Sequence, residues 1–409
     1  MKISYYTLGC KVNQYETEKI RTQCEKLGFI SVPFNEGGDV CVINTCTVTS
    51  VADGKCRAVI RKAKKINPNS FVIVTGCYSQ THREEVENLA ECDLVVDIKD
   101  KYKISEIISQ KSTEKPQPIT TQKLRTRTRA VVKVQDGCDQ FCSYCLIPFA
   151  RSHKFSEKVE NVIDEVKELC DNNYKEIVLT GIRLGSYNHG GKNLSFLIEN
   201  ILEKTTIERV RLSSIEMWEI DEKLIELMEN SRMCNHLHIP LQNGTDEILK
   251  SMNRPYNTEK YYNLIEKLRL NVPEIGITTD VIAGFPGESE KLFKESCEFI
   301  EKIGFSRVHV FKYSRRPGTV GDKMEGHIDP DIKKERVTFL TELGRKLSSD
   351  FAEKFVGKDC NVLFEIKKKD GFTYGYTTNY IEVKTDKPVL RNETLNLKGL
   401  KVEEGVLVV

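Results

Sequence analysis

Between residues 130 and 311 the chain alternates six times between a short apolar run and a longer stretch of helical periodicity. The strand-like runs are residues 131–134, 176–179, 209–212, 236–239, 277–282 and 307–311. The helical stretches between them are residues 159–170, 194–203, 222–229, 258–269 and 290–303, and a further helix over 330–354 closes the region. Regular strand–helix repetition leaves few solutions, because each new parallel strand must be reached through a helix packed on the sheet. Six such units predict a partial parallel barrel.

Directly after the first of these strands comes Gly137-Cys138-Asp139-Gln140-Phe141-Cys142-Ser143-Tyr144-Cys145, in the spacing C-x3-C-x2-C. In a parallel barrel that loop lies on the face where active sites are built. Three thiolates from one short loop can hold an iron–sulfur cluster with one iron left open. A zinc site or three buried cysteines are the alternatives, but structural zinc takes four ligands and no fourth follows closely. Gly137 permits the tight turn such a loop needs, and Tyr144 offers a flat face to an aromatic ligand. Other strand ends supply candidate cofactor contacts: Thr180 and Gly181 after the second strand, Ser213, Ser214 and Glu216 after the third, and Gln242 after the fourth. A bare backbone, hydroxyls, a carboxylate and an amide suit polar groups such as an amino acid and a ribose. His236 and His238 alternate along one strand and read as core or cofactor-pocket residues, with no metal role.

The first hundred residues also alternate strand and helix, as an open parallel sheet does. Strands are expected at 3–8, 40–44, 71–74 and 94–96, and helices at 13–27, 55–65 and 83–89, with Ile20, Cys24 and Leu27 on one face of the first helix. Cys10, Cys46 and Cys77 each follow a strand, in Gly9-Cys10, Thr45-Cys46 and Gly76-Cys77. Open parallel sheets bind ligands beyond the carboxyl ends of their strands, so these thiols can converge on a second metal site. Cys24, Cys41, Cys56 and Cys92 lack that placement and read as small core hydrophobes. The chain has 14 cysteines, an amino terminus without a signal-peptide layout and no apolar run long enough to span a bilayer, which points to a reducing cytoplasm.

Residues 109–128 read as a polar linker with Pro116 and Pro118, ending in Lys123, Arg125, Arg127 and Arg129 in alternation. These cations suit either a solvated face or an RNA backbone. The net charge of +2 does not itself announce a nucleic acid partner. From residue 355 onward, five short strands (361–366, 372–377, 380–383, 394–398 and 405–409) predict a small β-barrel. Lys367, Lys368 and Lys369 with Phe372, Tyr374, Tyr376 and Tyr380 offer cations and stacking rings to RNA, or else form a solvated hairpin.

The triple cysteine resembles the signature of the radical S-adenosylmethionine superfamily. With Leu8-Gly9-Cys10, Asn44-Thr45-Cys46 and Gly76-Cys77, the chain resembles the methylthiotransferase family of that superfamily over nearly its whole length. The resemblance implies four parts: an auxiliary-cluster domain at 1–108, a linker at 109–128, a radical core at 129–354 and an RNA-binding TRAM domain at 355–409. It implies one 4Fe–4S cluster on Cys138, Cys142 and Cys145 that binds and cleaves S-adenosylmethionine, giving a 5′-deoxyadenosyl radical. A second 4Fe–4S cluster, on Cys10, Cys46 and Cys77, would carry the sulfur. The run from Leu8 to Thr17, and Leu179-Thr180-Gly181 followed by Leu184-Gly185, are most similar to the branch acting on threonylcarbamoyladenosine next to the tRNA anticodon. The implied partners are a tRNA anticodon loop and an electron donor of the flavodoxin or ferredoxin type, with no membrane and a monomeric chain. Sister branches act on isopentenyladenosine in tRNA or on a ribosomal-protein aspartate. A non-catalytic cluster-bearing RNA-binding protein is the reading from another class.

Overall fold

A computed structural model of the protein describes residues 1–111, 128–369 and 371–409, apart from the side chains of 366–369. The expected linker residues Pro116, Pro118, Lys123, Arg125 and Arg127 fall outside the described residues, as do the side chains of Lys367, Lys368 and Lys369. The described residues divide into two compact units: one of 1–111, 137–154 and 314–319, the other of 128–136, 155–313, 320–369 and 371–409.

In the first unit, β1 (Lys2–Thr7), α1 (Lys11–Lys26), β2 (Ile30–Val32), β3 (Val40–Thr45), α2 (Ser50–Ile66), β4 (Phe71–Gly76), α3 (Cys77–Thr81), α4 (Arg83–Glu87), β5 (Leu94–Val95) and α5 (Ile104–Lys111) precede the short α6 (Ile147–Ala150). The sheet runs in the order β2-β1-β3-β4-β5, and every pair is parallel. β3 is buried along its whole length, which explains its uninterrupted Val-Cys-Val-Ile run. The edge strand β2 escaped the sequence reading because it has three residues and one exposed isoleucine. Ile20 and Cys24 are buried as expected, but Leu27 is exposed at the end of α1. Cys24, Cys41 and Cys56 lie in the core of this unit.

The second unit opens with β6 (Arg129–Lys133), β7 (Gln135–Asp136), β8 (Phe155–Ser156), α7 (Val159–Asp171), β9 (Glu176–Thr180), the hairpin β10 (Asn188–His189) and β11 (Lys192–Asn193), α8 (Leu194–Lys204), β12 (Arg209–Leu212) and α9 (Glu222–Leu227). It continues through β13 (His236–His238), α10 (Asp246–Ser251), α11 (Thr258–Asn271), β14 (Gly276–Ala283), α12 (Glu290–Ile303), β15 (Arg307–Lys312), α13 (Val320–Lys323) and α14 (Pro330–Glu353). Two parallel sheets, β12-β9-β6 and β13-β14-β15, are bridged at Val210–Met233 and Ser214–His238. These are the six parallel strands of the expected barrel. Residues such as Val132, Leu179, Val210, Leu237 and Ile277 point outward into one large apolar core with the helices. Alternation turns Arg129, Glu176, Arg209, Arg211, His236 and Thr278 the other way.

The rest of the unit is a six-stranded β domain made by β16 (Asp359–Lys369), β17 (Phe372–Thr377), β18 (Glu382–Thr385), β19 (Thr394–Lys398), β20 (Lys401–Glu403) and β21 (Val406–Val408). The additional strand, β20, is a three-residue Lys-Val-Glu segment paired antiparallel with β21. Phe351 in the last turn of α14 and Phe355 just beyond it help form the core of this domain.

The barrel strands and the β domain meet at a buried charge cluster. Glu176 pairs with Arg211 at 2.6 Å and with Arg209 at 3.3 Å. Arg209 also donates to the Asn361 carbonyl at 2.8 Å, and Arg211 to the carbonyls of Thr378 and Thr377 at 3.0 and 3.2 Å. Tyr380, in a left-handed conformation (φ 71°), lays its ring against Arg211, His236, Tyr376 and Arg129 with separations of 4.7–5.3 Å. Arg129, Tyr376 and Tyr380, expected either on a solvated face or against RNA, are engaged in this cluster. Arg129 belongs to a strand and pairs with Glu365 at 2.7 Å, and both rings pack against barrel cations. Among the described residues no helix is long and apolar enough to cross a membrane.

Candidate active site: two cysteine trios and a set of strand-end residues

In the first unit, the central cysteine loop is tied at its neck by the Cys138 amide donating to the Arg151 carbonyl at 3.1 Å. Backbone amides point at two of the sulfurs: Gln140 N donates to Cys138 Sγ, and Ile147 N to Cys145 Sγ, each at 3.4 Å. Amide donors of this kind stabilise a thiolate carrying metal. Cys142 is buried and Cys138 and Cys145 are half-buried, as is Tyr144. Gly137 has φ 79°, and a Cβ there would lie 2.3 Å from the His153 carbonyl oxygen. Gly137→Ala is therefore expected to cost more than the ~1–3 kcal/mol of the left-handed conformation alone. Thermal unfolding and iron bound per chain both measure it, and an unchanged loop would leave both at wild-type values.

The second trio occupies three strand ends of the same unit. Cys10 is the N-cap residue of α1, Cys46 follows β3, and Cys77 is the first residue of α3. Asn13 ties their loops together, donating to the carbonyls of Leu8 at 2.8 Å and Thr45 at 2.9 Å. A Cβ on Gly9 (φ 101°) would stand 3.0 Å from Cys46 Sγ, so glycine lets the first loop close on the second. Burial, aided by neighbouring Cys77 and Cys10, pushes the Cys46 thiol up to about 11. Burial likewise raises Cys77, opposed by Arg151. Crowded, desolvated thiols fit a cationic cluster, which relieves both costs by coordinating them as thiolates. Among the described residues no three His, Cys, Asp or Glu side chains close on a single ion. A cubane presents separate irons to separate thiolates and does not require that convergence.

Around this trio is a polar network that the sequence reading missed. Arg151 pairs with Glu16 at 2.9 Å, and Lys101 pairs with the same carboxylate. Arg316 pairs with Asp53 and donates to Thr47 Oγ1, each at 2.7 Å. One signal was available: Glu16 stands one turn before Ile20 on the buried face of α1, and a charge in an apolar stripe demands a partner.

The remaining candidates belong to the second unit. Thr180 is buried at the end of β9, and its carbonyl accepts from Val134 N at 2.9 Å. A Cβ on Gly181 would lie 2.7 Å from Gln135 Oε1, which accepts from Arg183 N at 2.8 Å. Ser213 is buried, and its hydroxyl finds no partner among the described residues, an opening for a polar ligand group. Ser214 is exposed. Glu216 is held by Arg254, whose guanidinium stacks on Trp218 at 4.9 Å and Tyr256 at 5.2 Å. Gln242 takes a left-handed conformation (φ 66°), the kind of strain found at ligand sites. His238 and His236 share the hydroxyl of Thr278 at 2.9 and 3.0 Å, and His238 also meets Asp280 at 3.3 Å.

Glu219, also unforeseen, pairs with Arg183 and presses against Gly185, where a Cβ would lie 2.4 Å from its carboxylate. Burial is the main cause that lifts its carboxyl from 4.5 to about 7, against the pull of Arg183. The folded chain keeps this proton where the unfolded chain has released it, so stability falls as pH rises from 4.5 to about 7. Glu219→Gln is expected to remove that slope. Melting temperatures of both proteins at about pH 5 and about pH 8 test it, and parallel curves would refute it.

Residues 132–300 match the Radical SAM superfamily, and residues 2–97 match Uncharacterized protein family UPF0004. The chain is 39% identical over 404 residues to the threonylcarbamoyladenosine tRNA methylthiotransferase MtaB of Bacillus subtilis, covering 93% of this chain and 89% of the relative. The protein of the same name from Thermotoga maritima is 36% identical, with 98% and 95% covered. The tRNA-2-methylthio-N(6)-dimethylallyladenosine synthase of a Thermoanaerobacter species is 34% identical, with 89% and 82% covered. The radical S-adenosylmethionine methyltransferase TsrM of Kitasatospora setae shares the fold at 14% identity and a TM-score of 0.57, with 90% of this chain and 79% of that one covered. With relatives above 30% identity over nearly its full length, the chain belongs to the radical S-adenosylmethionine methylthiotransferase family.

Proposed function

We propose that the protein adds a methylthio group to C2 of N6-threonylcarbamoyladenosine at position 37 of tRNA, beside the anticodon, giving 2-methylthio-N6-threonylcarbamoyladenosine. The similarity to the Bacillus subtilis MtaB, over 93% of the chain, carries this reading. As a member of its family the chain is an enzyme whose cofactors are S-adenosylmethionine and two 4Fe–4S clusters. Cys138, Cys142 and Cys145 hold one cluster, and Cys10, Cys46 and Cys77 the other. Tyr144, Thr180, Gly181, Ser213, Ser214, Glu216 and Gln242 contact S-adenosylmethionine. When bound, these cofactors supply the radical and sulfur chemistry that no side chain can apply to an unactivated aromatic C–H bond.

The chain's own residues position and shield. Amides of Gln140 and Ile147 fix two sulfurs of the central loop. Ser213 offers an uncommitted hydroxyl, and Arg254 fixes the orientation of the Glu216 carboxylate. An anticodon-loop base is single-stranded and is splayed out at modest cost. Phe372 and Tyr374, half-buried on β17, remain as stacking surfaces for RNA. In this reading residues 1–108 carry the sulfur-bearing cluster, 129–354 the radical chemistry and 355–409 the RNA contact, with 109–128 as the linker. The enzyme works as a cytoplasmic monomer fed by a flavodoxin- or ferredoxin-type donor.

Mass spectrometry of tRNA nucleosides from cells lacking this chain tests the substrate. Threonylcarbamoyladenosine should accumulate while its methylthio form disappears. Loss of methylthiolated isopentenyladenosine instead would assign the chain to the branch of the Thermoanaerobacter relative.

A further inference from the structure

Within the first unit, one residue touches both cysteine trios. The carbonyl of Arg151 closes the central cysteine loop by accepting from Cys138 N at 3.1 Å. Its side chain, almost fully buried, donates from Nε to Cys77 Sγ at 3.2 Å. The other guanidinium nitrogens are held by Glu16 at 2.9 and 3.0 Å and by Asn13 Oδ1 at 2.8 Å. Glu16 is shared with Lys101, so two cations face one carboxylate beside Cys77. Asn13 in turn ties the loops of Cys10 and Cys46.

We propose that Arg151 is a positioning residue that raises the reduction potential of the auxiliary cluster through its hydrogen bond to Cys77, so that the central loop sets the electronic state of the sulfur-bearing site. The inference rests on the assignment of Cys10, Cys46 and Cys77 as cluster ligands. One-electron reduction makes a cluster and its thiolates more negative. A charged N–H donor at a ligand sulfur stabilises that state over the oxidised one. The guanidinium is fixed before any cluster arrives, because Glu16 and Asn13 hold its remaining nitrogens in a fork.

The test uses the full chain carrying Cys138→Ala, Cys142→Ala and Cys145→Ala, so that only the auxiliary cluster can assemble. It is reconstituted with iron and sulfide and titrated with dithionite while the electron paramagnetic resonance signal is followed. Adding Arg151→Met should move the midpoint potential to a more negative value with iron content unchanged. Arg151→Lys should recover part of the shift. Glu16→Gln, which keeps the guanidinium and removes its counter-charge, should move the potential the opposite way. Arg151→Met leaves Glu16 with one cation fewer and can fail to fold. In that event Glu16→Gln with Arg151→Met is compared with Glu16→Gln alone, and a fall in potential is again expected. Full iron with an unmoved potential overturns the inference and leaves the ligand assignment standing. A parent variant that binds no iron overturns the ligand assignment, and this inference with it.

Discussion

Glu176→Ala is expected to destabilise the protein by about 3–5 kcal/mol, because it leaves buried guanidiniums without their counter-charge. Arg209 and Arg211 both converge on this carboxylate, and both also donate to backbone carbonyls of the carboxy-terminal β domain. The substitution therefore weakens two attachments together: the charge balance inside the barrel and the seam to the β domain. Burial alone would raise the Glu176 carboxyl, but Arg211, Arg129 and Arg209 outweigh it and hold it below the usual carboxylate range. The unfolded chain then binds a proton before the folded one does. The stability contributed by Glu176 is complete above the ordinary glutamate value and is lost as pH falls through the lowered one. Denaturant unfolding of wild type and Glu176→Ala near neutral pH measures the difference, which should narrow in acid. A loss below about 1 kcal/mol, the value of a surface pair, would refute the account.

Replacing one cysteine from each trio should divide the reaction in two. Cys142→Ala is expected to abolish cleavage of S-adenosylmethionine, leaving no 5′-deoxyadenosine in an anaerobic assay with dithionite. Cys46→Ala should preserve that cleavage and stop methylthiolation of tRNA. Each variant should keep about half the iron of the wild type, since a cluster missing one of three thiolates loses its anchorage. Methylthiolated nucleoside formed by Cys46→Ala would end the sulfur-carrier role of the first trio.

The parts of the site legible in the sequence are those marked by local chemistry. The central loop announced itself through three cysteines in eight residues. Cys10, Cys46 and Cys77 were found because each follows a strand whose apolar run is unmistakable. The network around them was not visible, because its partners are far apart in sequence: Glu16 and Arg151 are separated by 135 positions and Thr47 and Arg316 by 269. No periodicity links such pairs. The setting of Tyr380 was not visible for a related reason. An aromatic residue in a basic β segment suits an RNA base, and only the tertiary arrangement brings Arg211 and His236 to its ring. The short strands β2 and β20 were missed because three residues are too few to show alternation.

The composition of the first unit has a consequence for how the protein is made. Its sheet lies within the first hundred residues, but Arg151 and Arg316, the guanidiniums opposite Glu16 and Asp53, come from segments 137–154 and 314–319. A nascent chain that has exposed only the sheet holds two buried acids lacking those cations. The amino-terminal portion thus acquires its full set of partners only after translation has passed Thr319. Expression of the sheet as a separate fragment would reproduce the nascent state rather than the mature one.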